Sequence, residues 1–116
     1  MKKIIFKITK EYVEKYSISD VFVGKTIVLY NDRIEHIEKH KDEFIDDILE
    51  NILNDLPVIV ANPDFINVDE NKKGMQIIKR INDNILVAIR LSDSLELKIK
   101  SLYPITKAKY DRLKIK

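Results

Sequence analysis

Cysteine and tryptophan are absent from this chain, glycine occurs twice, proline three times and histidine twice. Without cysteine there can be no disulfide, no thiolate metal site and no cysteine nucleophile. So little glycine and proline leaves no stretch that reads as a linker, and no repeat or low-complexity segment is visible. Long apolar runs are lacking too. The opening, MKKIIFKITKEYVEKY, sets only three apolar residues behind a basic pair. That is too short for a signal-peptide core, and nothing approaches the length of a membrane span. The expectation is one soluble cytoplasmic domain over 1–116, large enough for a modest core.

Neither sign of charge dominates: charged residues are 34% of the chain and the formal net charge is +2. That balance neither demands nor excludes a nucleic-acid partner. Position says more. From Lys98 onward come Lys98, Lys100, Lys107, Lys109, Arg112, Lys114 and Lys116 against a single acid, Asp111. Glu35, Glu38, Asp42, Glu43, Asp46, Asp47 and Glu50 make the middle acidic. On charge alone the basic end reads first as a solvated tail, and second as one pole of a polarised surface.

What is present is a change of period along the chain. KKIIFKIT and GKTIVLY are rich in β-branched and aromatic residues and read as strands, with KEYVEKYS as a helical turn or two between them. Asn31 and Asp32 offer an N-cap for RIEHIEKH. DEFIDDILENILNDLP spaces Phe44, Ile45, Ile48, Leu49, Ile52, Leu53 and Leu56 at three and four, and predicts one amphipathic helix with Pro57 and Pro63 beyond its end. Strands follow: DFINVDE, MQIIKRI, ILVAIRLS and ELKIKSLY, separated by turns at NKKG, NDN and DSL. Thr106 is placed to cap a last short helix. Strands, helices and then an antiparallel meander give an α+β fold.

Strand phase assigns faces. Ile85, Val87, Ile89 and Leu91 share one face, and Leu86, Ala88, Arg90 and Ser92 the other. In the last strand Leu97, Ile99, Ser101 and Tyr103 are expected on one face, with Glu96, Lys98, Lys100 and Leu102 on the other. One sheet face would then pack on the long helix. The other would carry Arg90, Lys98, Lys100 and either Lys79 or Arg80, an arrangement suited to a phosphate chain or to plain solvation.

His36 and His40 stand at i and i+4 on the predicted helix RIEHIEKH and share a side. Metal binding, general acid–base work and a charged surface helix all use that spacing. The residue after His36 is Ile37, not the glutamate of a zinc-protease motif, and no third ligand is marked out, so no metal site and no cofactor is expected. His36, beside Ile37, is the better placed to sit in a cleft; His40, followed by Lys41 and Asp42, is the more exposed. By spacing alone the surface helix is the default.

The order of motifs adds a resemblance. TIVLYNDRIEHIEKH, ILENILNDLPVIVANPDFI, GMQIIKRINDNILVAIRLSD and LKIKSLYPITKAKYDRL follow one another over Thr26 to Arg112. Together they resemble the phage-associated branch of the barnase–EndoU–colicin–RelE-like nucleases. The resemblance implies two N-terminal helices on a roughly four-stranded antiparallel sheet. It implies metal-independent endoribonuclease activity, as a toxin, a phage or mobile-element effector, or an RNA-processing enzyme. Matched by position, the family's helix histidine falls on His36 with His40 beside it, its sheet arginine on Arg90, and its hydroxyl residues on Ser101 and Thr106. Tyr103 lies between those two, and Lys98 and Lys100 lie on the approach. The departure is that no histidine stands elsewhere in the chain. The implied partners are RNA, tRNA among its forms, and a cognate antitoxin or immunity protein, with no membrane. The alternative is a module of the same fold without catalysis, binding RNA or a protein.

Overall fold

The computed structural model describes residues 1–44, 48–69, 74–82, 85–92 and 96–115. Of the expected turns, 71–73, 83–84 and 93–95 lie outside the described residues, as do Ile45, Asp46, Asp47, Glu70 and Lys116, while Gly74 and Asn82 belong to β4. In chain order the elements are β1 (Lys2–Lys7), α1 (Lys10–Lys15), β2 (Thr26–Tyr30), α2 (Asn31–Glu38), α3 (Leu49–Asn54) and α4 (Leu56–Ala61). Then come β3 (Phe65–Asp69), β4 (Gly74–Asn82), β5 (Ile85–Ser92), β6 (Leu97–Ile105) and α5 (Lys107–Lys114).

The α+β class holds, but the sheet has six strands rather than four, in the order β1-β2-β6-β5-β4-β3. Strands β3 to β6 are the expected antiparallel meander. The antiparallel pair β1–β2 extends it, because β2 runs parallel to β6, with Ile27 opposite Leu97 and Val28 opposite Lys98. The parallel contact is short. Past it the chain turns directly into α2, which lies against β2 and β6. No helix among the described residues is long and apolar enough to cross a membrane.

Helix boundaries depart from the periodic reading in three places. The segment RIEHIEKH is helical only to Glu38, so His40 lies past the end of α2, before the short turn Lys41–Glu43. Asn31 and Asp32 do not cap α2: its N-cap is Tyr30, with no side-chain cap bond. The Asn31 N–H is taken instead by Met1 O at 3.2 Å, so the helix springs straight from the strand pair. The single long amphipathic helix is not formed. Phe44 is buried but extended (φ −100°, ψ 144°), and α3 starts only at Leu49. Pro57 lies beyond the end of α3 but also within the first turn of α4, where its missing N–H and fixed φ cost nothing. Pro63 does lie beyond α4.

The core has two parts. The larger joins Ile27, Leu29, Ile77, Val87, Ile89, Leu97 and Ile99 of the sheet to Tyr12, Val13, Ile37, Ile52, Leu56 and Val60 of the helices. The smaller lies on the opposite sheet face, where Tyr110 and Leu113 of α5 cover Ile78, Leu86 and Ala88. Thr106 caps α5 as expected, its Oγ1 accepting from Lys109 N at 3.1 Å. Because α5 spans part of that face only, the remainder is open, and there Arg90 is exposed.

A register shift in the β5–β6 pairing decides what faces the opening. Arg90 opposes Ser101 but the next residue, Leu91, opposes Ile99, so Lys100 is the extra residue of a β-bulge. The bulge reverses the phase of β6. Leu97 and Ile99 before it and Leu102 after it all enter the larger core, while Tyr103 packs with the smaller. The expected grouping of Ser101 and Tyr103 with Leu97 and Ile99 is thereby corrected. Lys79 and Arg80 are also drawn off the open surface. Lys79 Nζ donates to Asn62 O at 2.8 Å, and the Arg80 guanidinium lies 5.7 Å from the Tyr110 ring centroid.

Candidate active site

Three shallow depressions meet around the β6 bulge. The first is bounded by the helix and the strand: His36, Ile37, His40 and Glu43 on one side, Ser101, Leu102 and Tyr103 on the other, enclosing about 200 Å³. Ile37 anchors α2 in the core, and this sets the two histidines at the rim with their rings 5.2 Å apart and tilted edge to face. Both are exposed. His40 Nδ1 lies 3.2 Å from Glu43 Oε1, a contact that orients the ring. His36 has no ion-pair partner among the described residues.

The second depression, about 420 Å³, lies over the open sheet face. Cross-strand register places Asn67, Gln76, Arg90 and Ser101 in one row across β3, β4, β5 and β6. Directly opposed residues share a face, so Arg90 and Ser101 are neighbours. Ser101 thus stands where the two depressions adjoin. Tyr103 also bridges them: its hydroxyl accepts the Gln76 side-chain N–H at 2.6 Å, and Gln76 Oε1 in turn accepts from Asn67 Nδ2 at 3.2 Å. Lys109 Nζ sits 5.3 Å from the centre of the Tyr103 ring.

The third depression is lined by Tyr30, Asp32, Arg33, Lys98 and Lys100. Lys98 Nζ lies 5.4 Å from the Tyr30 ring centroid. Tyr30 donates to Glu96 Oε1 at 2.7 Å, and Lys2 pairs with the other Glu96 oxygen. The hydrogen bonds from Lys2 and Tyr30 pull the Glu96 carboxyl below its ordinary range. The same bonds raise the Lys2 ammonium and the Tyr30 phenol. This cluster pins β1, β2 and the start of β6 beside the site.

The structure therefore gathers His36, His40, Ser101 and Tyr103 round one hollow, with Arg90 next to Ser101 and Lys100 at the bulge between hollows. Lys98 lines the third hollow. Thr106 is elsewhere: its hydroxyl is engaged as the α5 cap, and it lines none of these depressions. Sequence reasoning missed Gln76 and Asn67, whose only signal was a polar residue on the Arg90 phase of each neighbouring strand. Among the described residues no three His, Asp or Glu side chains gather so as to hold a metal ion.

A sequence model of the family described as phage-Barnase-EndoU-ColicinE5/D-RelE like nuclease3 matches residues 3–112, nearly the whole chain. No curated protein and no solved structure matches.

Proposed function

The chain belongs to this nuclease family, and on that premise we propose that it is an endoribonuclease that cleaves without a metal ion. The observation that carries the reading is the hollow between α2 and β6, lined by His36 and His40 on one side and by Ser101 and Tyr103 on the other, with Arg90 opposite Ser101.

RNA brings its own nucleophile. The 2′-hydroxyl attacks the adjacent phosphorus, the bond to the 5′-oxygen breaks, and a 2′,3′-cyclic phosphate remains. A base must take the 2′ proton, an acid must give one to the leaving oxygen, and the phosphorane's charge must be held. His36 takes the proton. His40, oriented by Glu43, stands beside His36 just past the end of α2. A single helix face cannot reach both sides of a phosphate, so the acid comes from the strand wall. Tyr103 fits: its oxygen already accepts from Gln76, which leaves its own O–H free to donate outward. Arg90 holds the non-bridging oxygens through its planar fork, with Ser101 as a further donor. Lys98 and Lys100 attract the flanking backbone. Thr106 acts only through α5. Such an activity suits a toxin or phage-borne effector acting on cellular RNA, tRNA included, and restrained by an acidic inhibitor.

Total bacterial RNA incubated with the purified protein in EDTA tests this. Fragments ending in 2′,3′-cyclic phosphate are expected. Intact RNA that is nevertheless bound would mean a recognition module with no chemistry, the reading favoured by the lack of any histidine apart from the neighbouring His36 and His40.

A further inference from the structure

Helix α2 and β6 run side by side in the same sense, and the seam between them holds two hollows in succession. Across one, His36 and His40 face residues 101–103. Across the other, of about 230 Å³, Tyr30, Asp32 and Arg33 face Lys98 and Lys100. Arg33 and His36 are three apart on α2 and so share a side. Three residues span about 4.5 Å of helix or about 10 Å of strand, a step that one nucleotide of a single strand also covers. Arg33 is half-buried, yet among the described residues it makes no hydrogen bond, ion pair or ring contact. A partly desolvated cation without a partner costs free energy that a bound anion would offset. Asp32 also lines this hollow, but it is exposed and forms no ion pair among the described residues. Glu96, which touches the hollow through Tyr30, is engaged by Lys2 as well.

We propose that the Arg33 hollow is a subsite for the phosphate next to the one that is cleaved, gripped by Arg33 from the helix and by Lys98 and Lys100 from the strand. It rests on the reading of RNA as substrate, and adds that a second phosphate is part of what the enzyme recognises. The guanidinium fork takes two phosphate oxygens at once, and the ammonium groups add charge without a fixed geometry. The subsite lies at one end of the histidine hollow, so it serves one side of the scissile bond and not the other. A dinucleotide, which has only the phosphate to be cleaved, leaves it empty.

The test compares three short RNAs of mixed base sequence on the whole chain: a dinucleotide, the same with a 5′-phosphate, and the same with a 3′-phosphate. One phosphorylated form, and only one, should exceed the bare dinucleotide in kcat/KM by about 10- to 100-fold, as a charge-assisted hydrogen bond allows. Arg33→Ala, which puts a good helix former into α2, should bring the favoured form level with the bare dinucleotide. Arg33→Lys should restore part of the difference. A gain from both phosphates alike, a gain from neither, or a gain kept by Arg33→Ala would overturn the subsite. The 2′-deoxy forms of the three, which lack the nucleophile, give the same comparison as Kd without cleavage. The nuclease reading therefore fails separately. Intact RNA with the one-sided difference in Kd present in wild type and lost in Arg33→Ala would keep the subsite and remove the chemistry. Cleavage at one rate for all three would do the reverse.

Discussion

Gln76 shows how one side chain can connect two hollows. It accepts from Asn67 and donates to Tyr103, so the phenol is held by a neighbour that rests on the sheet. Gln76→Leu keeps the shape of the side chain and removes both bonds. It should lower kcat by about ten-fold with KM for a minimal substrate nearly unchanged, since the loss falls on positioning of the acid. Steady-state kinetics on a dinucleotide checks this. Far from the site, the buried Tyr12 hydroxyl donates to Val60 O at 2.7 Å. Tyr12→Phe should cost about 1 kcal/mol in urea denaturation. His36 was legible because a helical spacing is local, whereas His40 falls beyond the end of α2 at Glu38. Gln76 and Asn67 were not, because their face depends on register across three strands, which no local period records.

The bulge at Lys100 is the element-scale feature on which the site depends. It sets Leu102 into the core while Tyr103, one position on, joins the opposite face. Deleting Lys100 restores a regular ladder in which Ile99, Ser101, Leu102 and Tyr103 alternate on the faces they already occupy. The deletion variant should therefore keep a cooperative unfolding transition, as should Lys100→Ala. Circular dichroism melts check both. Strict alternation misplaced Ser101 and Tyr103 because nothing in KIKSLYP marks an inserted residue. The helical segment failed for a different reason. Its spacing of three and four continues across Phe44, Ile48 and Leu56, yet Phe44 is extended and α3 and α4 meet at Asp55 and Leu56. Burial of those apolar side chains is served by short helices as well as by a long one. By contrast β5 occupies ILVAIRLS from end to end, and Thr106 caps α5, because a strand bounded by turns and a hydroxyl before a helix are local facts.

At the scale of the molecule, pH acts through phenols and one carboxylate. Burial raises Tyr12 well above the ordinary phenol value of 10.0, and burial with the Asp64 hydrogen bond raises Tyr110. The folded chain then keeps protons that the unfolded chain releases. That stability is fully present below pH 10.0 and declines as pH rises toward the folded values. Glu96 has the opposite sign. Its contribution is present above the ordinary value of 4.5 and is lost as pH falls through its lowered folded value. Urea midpoints should therefore be level near neutrality and fall in alkali, and Tyr12→Phe should flatten the alkaline limb. The cationic run along β6 carries a separate expectation. RNA affinity should drop steeply with salt, and Lys98→Ala or Lys100→Ala should each reduce the log–log slope by about 1. The sequence showed these cations but not that Lys98 and Lys100 border the hollows while Lys107 pairs with Asp111. Assigning them needed the parallel pairing of β2 with β6, which no local pattern records.

One measurement bears most directly on the central claim, the single-turnover rate of RNA cleavage in EDTA by wild-type and His36→Ala protein. The account predicts cleavage by the wild type and a rate at least about 100-fold lower in the variant, as removal of a general base requires. Equal rates in two folded proteins would contradict it, since the chemistry would then lie outside the hollow between α2 and β6.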